Sequence, residues 1–260
     1  QQFVFGWFFY EGIEVEENDE EYVRLMKLSA DQGHVLAEYE IGFCYYERFG
    51  SDKYRELGFQ YYLRAATKGY SLAQCKVGEC YEKGRGVKED FSLALEWYKK
   101  SAENGHLAFE KVGRCYFLGR GTEMNEEEAI KWFQLSADKG NYATMLKMGL
   151  FHFYGSIVEK DRNKSIHFFK NVAPQGTDEA KYLLGLHYLQ DERDPSNQTK
   201  GFQLLNEIKY PDEKMKNVLG LCYEFGLGTE KNQKEAFELY YEASNTYSVF
   251  PPAKYNVGRC

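Results

Sequence analysis

One short phrase recurs along the chain at a nearly constant interval, and it constrains the fold more than any other feature. The phrase is an aliphatic residue, a glycine, two further residues and an aromatic, and successive copies are 35 to 38 residues apart. Such a period is typical of repeat proteins, in which one unit cannot bury its own apolar face. The glycine of the phrase, called the anchor glycine below, stands at Gly6, Gly42, Gly78, Gly113, Gly149, Gly185, Gly220 and, in a partial unit, Gly258.

The third repeat shows how one unit is built. Ala73, Val77 and Tyr81 are four residues apart and share one face of a predicted first helix. The Gly-Arg-Gly of residues 84–86 ends that helix, because glycine accepts the left-handed conformation found just past a helix. Asp90 is predicted to cap a second helix. The second helix carries its own apolar stripe, formed by Ala94, Trp97, Tyr98, Ser101 and Ala102.

The other repeats carry the same types of residue at the corresponding positions. The predicted N-cap residues are Asn18, Asp90, Asn125, Asp161, Asn197 and Asn232. A glycine that closes the second helix is expected at Gly33, Gly69, Gly105, Gly140 and Gly176. Small residues that allow close helix approach stand at Ala37, Ala73, Ala108, Ala180 and Ala253. The pattern predicts about seven helical hairpins without a linker or a second domain.

Some repeats depart from the pattern. The sixth replaces the Gly-x-Gly turn with Asp-Glu-Arg at residues 191–193, and the second carries Arg-Phe-Gly at 48–50 with Tyr54 at the cap position. We expect the loops there to differ in shape. Sequence drift and contact with a partner are both open explanations.

The segments 73–105 and 108–140 resemble the Sel-1-like repeat, a relative of the tetratricopeptide repeat. The resemblance covers nearly the whole chain and is weakest around residues 185–215. It implies an all-α, right-handed superhelical solenoid of about seven 36-residue helix-turn-helix repeats, with the first helices on the concave side. Residues 1–260 then form a single array. Both ends fall inside a repeat, so the chain is expected to be a piece of a longer protein.

Charge and hydropathy argue against several classes of partner. The net charge is −7, whereas a surface for nucleic acid or anionic lipid needs an excess of lysine and arginine. No apolar run approaches the roughly 18 residues of a membrane span. We therefore expect no nucleic-acid binding and no membrane insertion.

Five of the six cysteines stand two residues after an anchor glycine, and the sixth, Cys75, stands three before one. Equal placement in successive repeats favours buried free thiols over a disulfide framework. Reduced cysteines fit a cytoplasmic protein. The endoplasmic reticulum lumen remains the alternative, and the sequons at Asn163 and Asn197 would matter only there. The five cysteines are Cys44, Cys80, Cys115, Cys222 and Cys260.

No catalytic constellation is found in the sequence. The Gly-rich turns lack the Lys-Ser/Thr of a phosphate-binding loop and follow helices rather than strands. The histidines form no metal-binding pair, and no cysteine or serine is placed with His and Asp as a nucleophile. The prediction is a protein without catalytic residues, metal or cofactor.

Function is expected at positions that vary between repeats. The residues two before and one after each anchor glycine lie three apart on the first helix, facing away from the core stripe. They form a predicted partner groove with a basic middle flanked by apolar ends. Alternatively, the charges only solvate an exposed face, and the apolar residues pack on neighbouring repeats. The candidate groove residues are Trp7, Phe43, Lys76, Glu79, Lys111, Arg114, Lys147 and Leu150.

The function that follows is a non-catalytic scaffold or adaptor, which binds an acidic or amphipathic peptide, or a partner helix, on its concave face. Two alternatives stay open at this point. The chain could be an accessory region of a larger signalling enzyme such as a protein kinase. It could also be a lumenal adaptor in ER-associated degradation.

Overall fold

A computed structural model describes residues 19–49, 51–105, 108–191, 194–245 and Asn256. These residues form thirteen α-helices and no strand, so the predicted all-α fold is confirmed. The contacts divide the chain into two compact units, Gln1–Lys139 and Gly140–Cys260. The anchor glycines at positions 6 and 258 lie outside the described residues.

The described part of the first unit, from residue 19 onwards, contains seven helices. Within it, the first and second helices of each complete repeat pack against each other, and each second helix packs on the next first helix. The helices are α1 (Asp19–Asp31), α2 (Val35–Phe43), α3 (Asp52–Thr67), α4 (Ser71–Lys83), α5 (Phe91–Gly105), α6 (Phe109–Leu118) and α7 (Glu126–Asp138).

Residues 140–245, as far as the structure describes them, form six helices of the second unit with the same order of packing. A 3₁₀ turn, Ala173–Gln175, follows the second of them. The helices are α8 (Tyr142–Tyr154), α9 (Arg162–Val172), α10 (Asp178–Leu189), α11 (Pro195–Asn206), α12 (Glu213–Phe225) and α13 (Gln233–Ser244).

Each described anchor glycine packs against a bulky side chain of the second helix in its own repeat. A Cβ atom added to Gly113 would lie 2.7 Å from Phe133 Cδ1, and one added to Gly220 would lie 2.5 Å from Tyr240 Cε1. No other residue lets the two helices approach so closely. The partners along the chain are Tyr62, Tyr98, Phe133, Phe169, Leu205 and Tyr240.

Most predicted N-caps are confirmed. The side chains of Asp90, Asn125, Asp161 and Asn232 accept hydrogen bonds from backbone N–H groups of the helix that follows. The prediction for Asn197 is wrong: α11 begins at Pro195, and Asp194 caps it by accepting from Ser196 N. Proline is favoured in the first turn, where no intrahelical donor is lost. The predicted cap at position 18 lies outside the described residues.

The glycine turns also follow the prediction, with one exception. Gly84 caps α4 in the left-handed conformation, with φ of +59°, and the closing glycines Gly33, Gly69, Gly140 and Gly176 all have positive φ. Gly105 was expected to close its helix in the same way, but it is the last residue of α5.

The second repeat has the different shape that its sequence indicates. After Phe43, helix α2 continues as a π-helix over Cys44–Arg48. Helix α3 begins at Asp52, and Ser51 at its N-cap position makes no side-chain capping bond. The wider turn accommodates Tyr45, whose ring stacks on those of Tyr54 and Tyr61 at 5.8 and 5.9 Å.

The cysteine prediction is confirmed for four of the six positions. Cys44, Cys80, Cys115 and Cys222 are buried free thiols, and Cys75 is half-buried. Burial raises the pKa of Cys80 and Cys222 to about 12 and that of Cys75 and Cys115 to about 11. Cys260 lies outside the described residues.

Candidate functional site

Of the predicted groove residues, four come together on α4 and α6 of the first unit. These are Lys76, Glu79, Lys111 and Arg114, and all four are half-buried. Lys147 and Leu150 lie on α8, in the second unit. Phe43 ends the α-helical part of α2, and Trp7 lies outside the described residues.

The charges on α4 and α6 form a ladder that joins successive repeats. Lys111 Nζ lies 2.9 Å from Glu79 Oε1 on the preceding first helix. Lys76 Nζ lies 3.2 Å from Glu79 Oε2 and 3.6 Å from Glu47 Oε1 of the repeat before. The basic middle of the predicted groove therefore alternates with carboxylates. We call Glu47, Lys76, Glu79 and Lys111 the charge ladder.

A second cluster lies beside the ladder and is centred on Glu82, whose side chain is 10% exposed. Its carboxylate accepts a 2.6 Å hydrogen bond from the Tyr98 hydroxyl and bonds of 2.9 and 3.0 Å from Arg114. The Arg120 guanidinium approaches to 3.5 Å. Arg114 is thus held by the repeat that precedes its own.

Electrostatics favour the charged forms in the ladder. Burial alone would raise the pKa of the Glu79 carboxyl, but the Lys111 and Lys76 ammonium groups outweigh it and lower that pKa. Burial alone would lower the pKa of the Lys76 ammonium group, but the Glu79 and Glu47 carboxylates outweigh burial and raise that pKa. The first-helix face thus carries fixed, alternating charges near neutral pH.

The apolar groove residues differ in their surroundings. The Phe43 side chain is 37% exposed, whereas Leu150 packs partly against the apolar core around Phe169. Leu150 therefore contributes to the core of its own unit as well as to its surface. Lys147, one turn earlier, is half-buried.

Sequence reasoning missed the carboxylates that complete these clusters. Glu47 and Glu82 stand five and four residues after their anchor glycines, outside the two positions that were read as the groove. The opposite signs of Glu79 and Lys111 in neighbouring repeats were a signal for inter-repeat pairing. The long reach of lysine and glutamate allowed both a paired and a solvated arrangement.

One serine and one histidine do meet, although no such pair was expected. Ser165 Oγ and His187 Nε2 are 3.0 Å apart, and both side chains are buried. Burial, with help from Arg162 and Lys160, lowers the pKa of His187 to about 4. The pair is packed among Phe153 and Phe169 and has no opening to a substrate, so it is a core contact.

Within the described residues, no three His, Cys, Asp or Glu side chains are grouped in a way that could hold a metal ion. None of the described helices has both the length and the apolar character needed to cross a bilayer.

Comparison with known families gives two matches. The model of the Sel1 repeat matches residues 2–34, 35–70, 71–106 and 217–245, together a little over half of the chain. A model of plant tetratrico peptide repeats matches residues 121–226. The two models overlap at residues 217–226 and together cover residues 2–106 and 121–245.

Curated relatives are similar over a shorter stretch. The DAP3-binding cell death enhancer 1 proteins of Rattus norvegicus and Mus musculus are each 30% identical over 91 residues, which is 35% of this chain. The match spans only 18% of the length of either relative.

Solved structures are similar over nearly the whole chain. The protective antigen c5321 of uropathogenic Escherichia coli has a TM-score of 0.84 at 25% identity, covering 94% of this chain and 52% of that one. A repeat protein from Oxalobacter formigenes has a TM-score of 0.71 at 22% identity, covering 99% and 75%. The chain therefore shares the helical solenoid fold of these proteins.

Proposed function

The chain belongs to the Sel1 repeat family, and from this premise we propose that it is a non-catalytic scaffold that holds an amphipathic helix of a partner protein against its first helices. Proteins built from these repeats are generally interaction scaffolds. The name of the rodent relatives records the binding of a protein, which supports the same class of function.

The observation that carries the proposal is the charge ladder on the first helices. Glu79 is only 19% exposed and is held by two lysines, so the ladder presents its charges in fixed positions. Fixed charges of both signs give orientation and specificity more than net attraction. This favours an amphipathic helix over a purely acidic peptide, and the partly exposed Phe43 offers an apolar contact.

A helix laid in a groove is a common form of peptide recognition, in which apolar anchors on one helix face do most of the binding. The charge ladder would pair with polar residues at the edge of such a helix. Binding of this kind requires no catalytic residue. The buried thiols of Cys80 and Cys222, whose pKa values are raised, are poor nucleophiles.

A substitution on a first helix and a matched substitution on a second helix test the proposal. Phe43→Glu places a charge at the groove, and Leu135→Glu places one on the second helix α7, where Leu135 is 43% exposed. Both proteins are purified from cells with their bound polypeptides, which are then quantified by mass spectrometry. We expect the Phe43→Glu protein alone to lose a set of its bound polypeptides. Equal losses from both variants would refute binding in the groove.

A further inference from the structure

In three repeats, a glycine of the turn after the first helix packs against the second helix of the preceding repeat. This is the second glycine of the Gly-x-Gly turn, and a Cβ atom there would overlap a backbone carbonyl oxygen. Glycine is required because the two backbones approach so closely. The three pairs are Gly86 with Arg55, Gly121 with Phe91, and Gly228 with Gln198.

The fifth repeat carries Ile157 in place of this glycine, and the sixth repeat also has no glycine at that position. Its turn reads Asp-Glu-Arg at residues 191–193, and Gln190 ends α10 in the right-handed conformation, with φ of −79°. By the register of the repeat, the corresponding place on the preceding second helix is Arg162. An open cavity of about 770 Å³ lies there, bordered by Arg162 and its neighbour Asn163.

The cavity is rich in positive charge. Arg162 and Lys170 lie two turns apart on α9, with Ile166 between them, and Lys200 faces them from α11. Within the described part of the chain, none of the three cations is in an ion pair. Asp191 is the carboxylate of the lining, and it accepts a 2.9 Å hydrogen bond from the Asn197 amide.

Each cation is held by a neutral group instead. Arg162 Nη2 donates a 2.5 Å hydrogen bond to the His187 carbonyl oxygen, which leaves its other N–H groups available. Lys170 lies over the Tyr188 ring at 5.7 Å, and Lys200 donates to Asn197 Oδ1 at 3.4 Å. This contrasts with the first unit, where Glu79 and Glu82 compensate the cations around them.

A smaller cavity, of about 330 Å³, shares Lys170 with the first. Its lining includes Ala173, Pro174, Leu184 and Leu204, and at its edge Lys181 and Glu207 pair with each other at 3.5 Å. A charged cavity thus continues into a more apolar one along the second helices α9 and α11.

We propose that this pair of cavities binds a short acidic peptide segment of a partner protein, with an apolar residue next to the acidic ones. Side-chain carboxylates of the peptide pair with Arg162, Lys170 and Lys200. The apolar residue occupies the smaller cavity beside Leu204. The three cations lie on the second helices α9 and α11, so the site goes beyond the first-helix groove of the proposed function and does not depend on it.

Fluorescence anisotropy with a labelled, end-capped hexapeptide tests the site. The probe carries three aspartates, two serines and one leucine, and matched probes carry asparagine for aspartate, serine for leucine, or phosphoserine for aspartate. The aspartate probe should bind at least about tenfold more tightly than the asparagine probe, since three charge contacts are removed together. Replacing leucine by serine should weaken binding as well.

Variants of the protein locate the binding. The double variant Lys170→Glu, Lys200→Glu should bind the aspartate probe about tenfold or more weakly, because two attractions to the probe become repulsions. Both side chains are exposed, so the fold should be kept, and circular dichroism checks this. The matched control is Lys131→Glu with Lys234→Glu, which makes the same charge change at side chains 67% and 87% exposed.

Three results would overturn the proposal: equal binding of the aspartate and asparagine probes, binding of the phosphoserine probe alone, or equal loss in the test and control variants. The Phe43→Glu variant should bind the aspartate probe like the unchanged protein. Failure of the acidic site and failure of the first-helix groove are therefore distinguishable.

Discussion

Lys111 Nζ of the fourth repeat lies 2.9 Å from Glu79 Oε1 of the third, and both side chains are about three-quarters buried or more. The pair therefore lies at the junction of two repeats. In a solenoid, each repeat contacts only its neighbours, and interface terms decide how cooperatively the repeats fold. A charge pair at such a junction contributes to stacking and leaves less free charge for a ligand.

A double-mutant cycle measures this contribution. Glu79→Gln and Lys111→Met, alone and together, should give a coupling free energy of about 1 kcal/mol, at the upper end for exposed pairs. The pair Lys131–Glu128, with a distance of 3.1 Å on an exposed face, is the control and should couple by about 0.5 kcal/mol or less. Equal coupling in both cycles, measured by urea unfolding, would contradict a stacking contribution of the ladder.

The anchor glycines give a second prediction. Gly113→Ala should lower the free energy of unfolding by about 1–3 kcal/mol, because the added methyl group meets the Phe133 ring. Phe133→Leu in the same chain should recover part of the loss, because it removes the ring edge that the methyl group would meet at 2.7 and 2.8 Å and replaces it with a smaller, more flexible side chain. Thermal unfolding of the single and double variants checks this, and additive losses would show that the ring is not the cause.

His187 predicts a pH dependence of stability. Its pKa is about 4 in the folded protein against 6.5 for an unperturbed histidine, so the unfolded chain takes up the proton first as the pH falls. The stability from neutral His187 is complete above about pH 6.5 and is lost between pH 6.5 and 4, up to about 3 kcal/mol in all.

The variant His187→Gln should flatten this part of the stability curve measured by urea unfolding. His167→Gln is the control, because His167 is exposed on α9. A curve for His187→Gln that falls as steeply as that of the unchanged protein would contradict the assignment.

Thiol reactivity gives a fourth prediction. At pH 8, a disulfide reagent should modify Cys75 before Cys44, Cys80, Cys115 and Cys222, because Cys75 alone of these five is half-buried. All five should react slowly in the folded protein, since their thiolate fraction or their access is low. Mass spectrometry of partly labelled protein identifies the order, and early labelling of Cys80 would contradict its burial.

The fold could be predicted from the sequence because its signals are local and repeated. Gly78, Asp90 and their counterparts recur at one spacing, and each has a local physical reason to end, cap or pack a helix. The cap at Asn197 was wrong because Asp194-Pro195 starts α11 earlier and overrides the register of the repeat. The Asp194-Pro195 pair is a stronger signal for a helix start than the register of the repeat, but the prediction followed the register.

The candidate site could be predicted only in part. The position of Lys76, Lys111 and Arg114 on successive first helices followed from the period, but their pairing with Glu79 and Glu82 depends on distances between repeats. The cavity beside Arg162 was not indicated by the sequence, because the missing Gly-x-Gly turn of the sixth repeat is shared by the fifth, where residues 155–157 read Gly-Ser-Ile. A missing turn predicts a different shape, and the structure shows which side chains then meet.

The most direct test of the central claim, that the first helices bind a partner polypeptide, is site-specific photocrosslinking in cells. A photoreactive phenylalanine analogue is placed at Phe43 and, as a control in the same unit, at Leu135 on the second helix α7, which is 43% exposed. We expect a crosslinked polypeptide at position 43 that is missing at position 135. A crosslink at position 135 alone, or none at position 43, would contradict the claim.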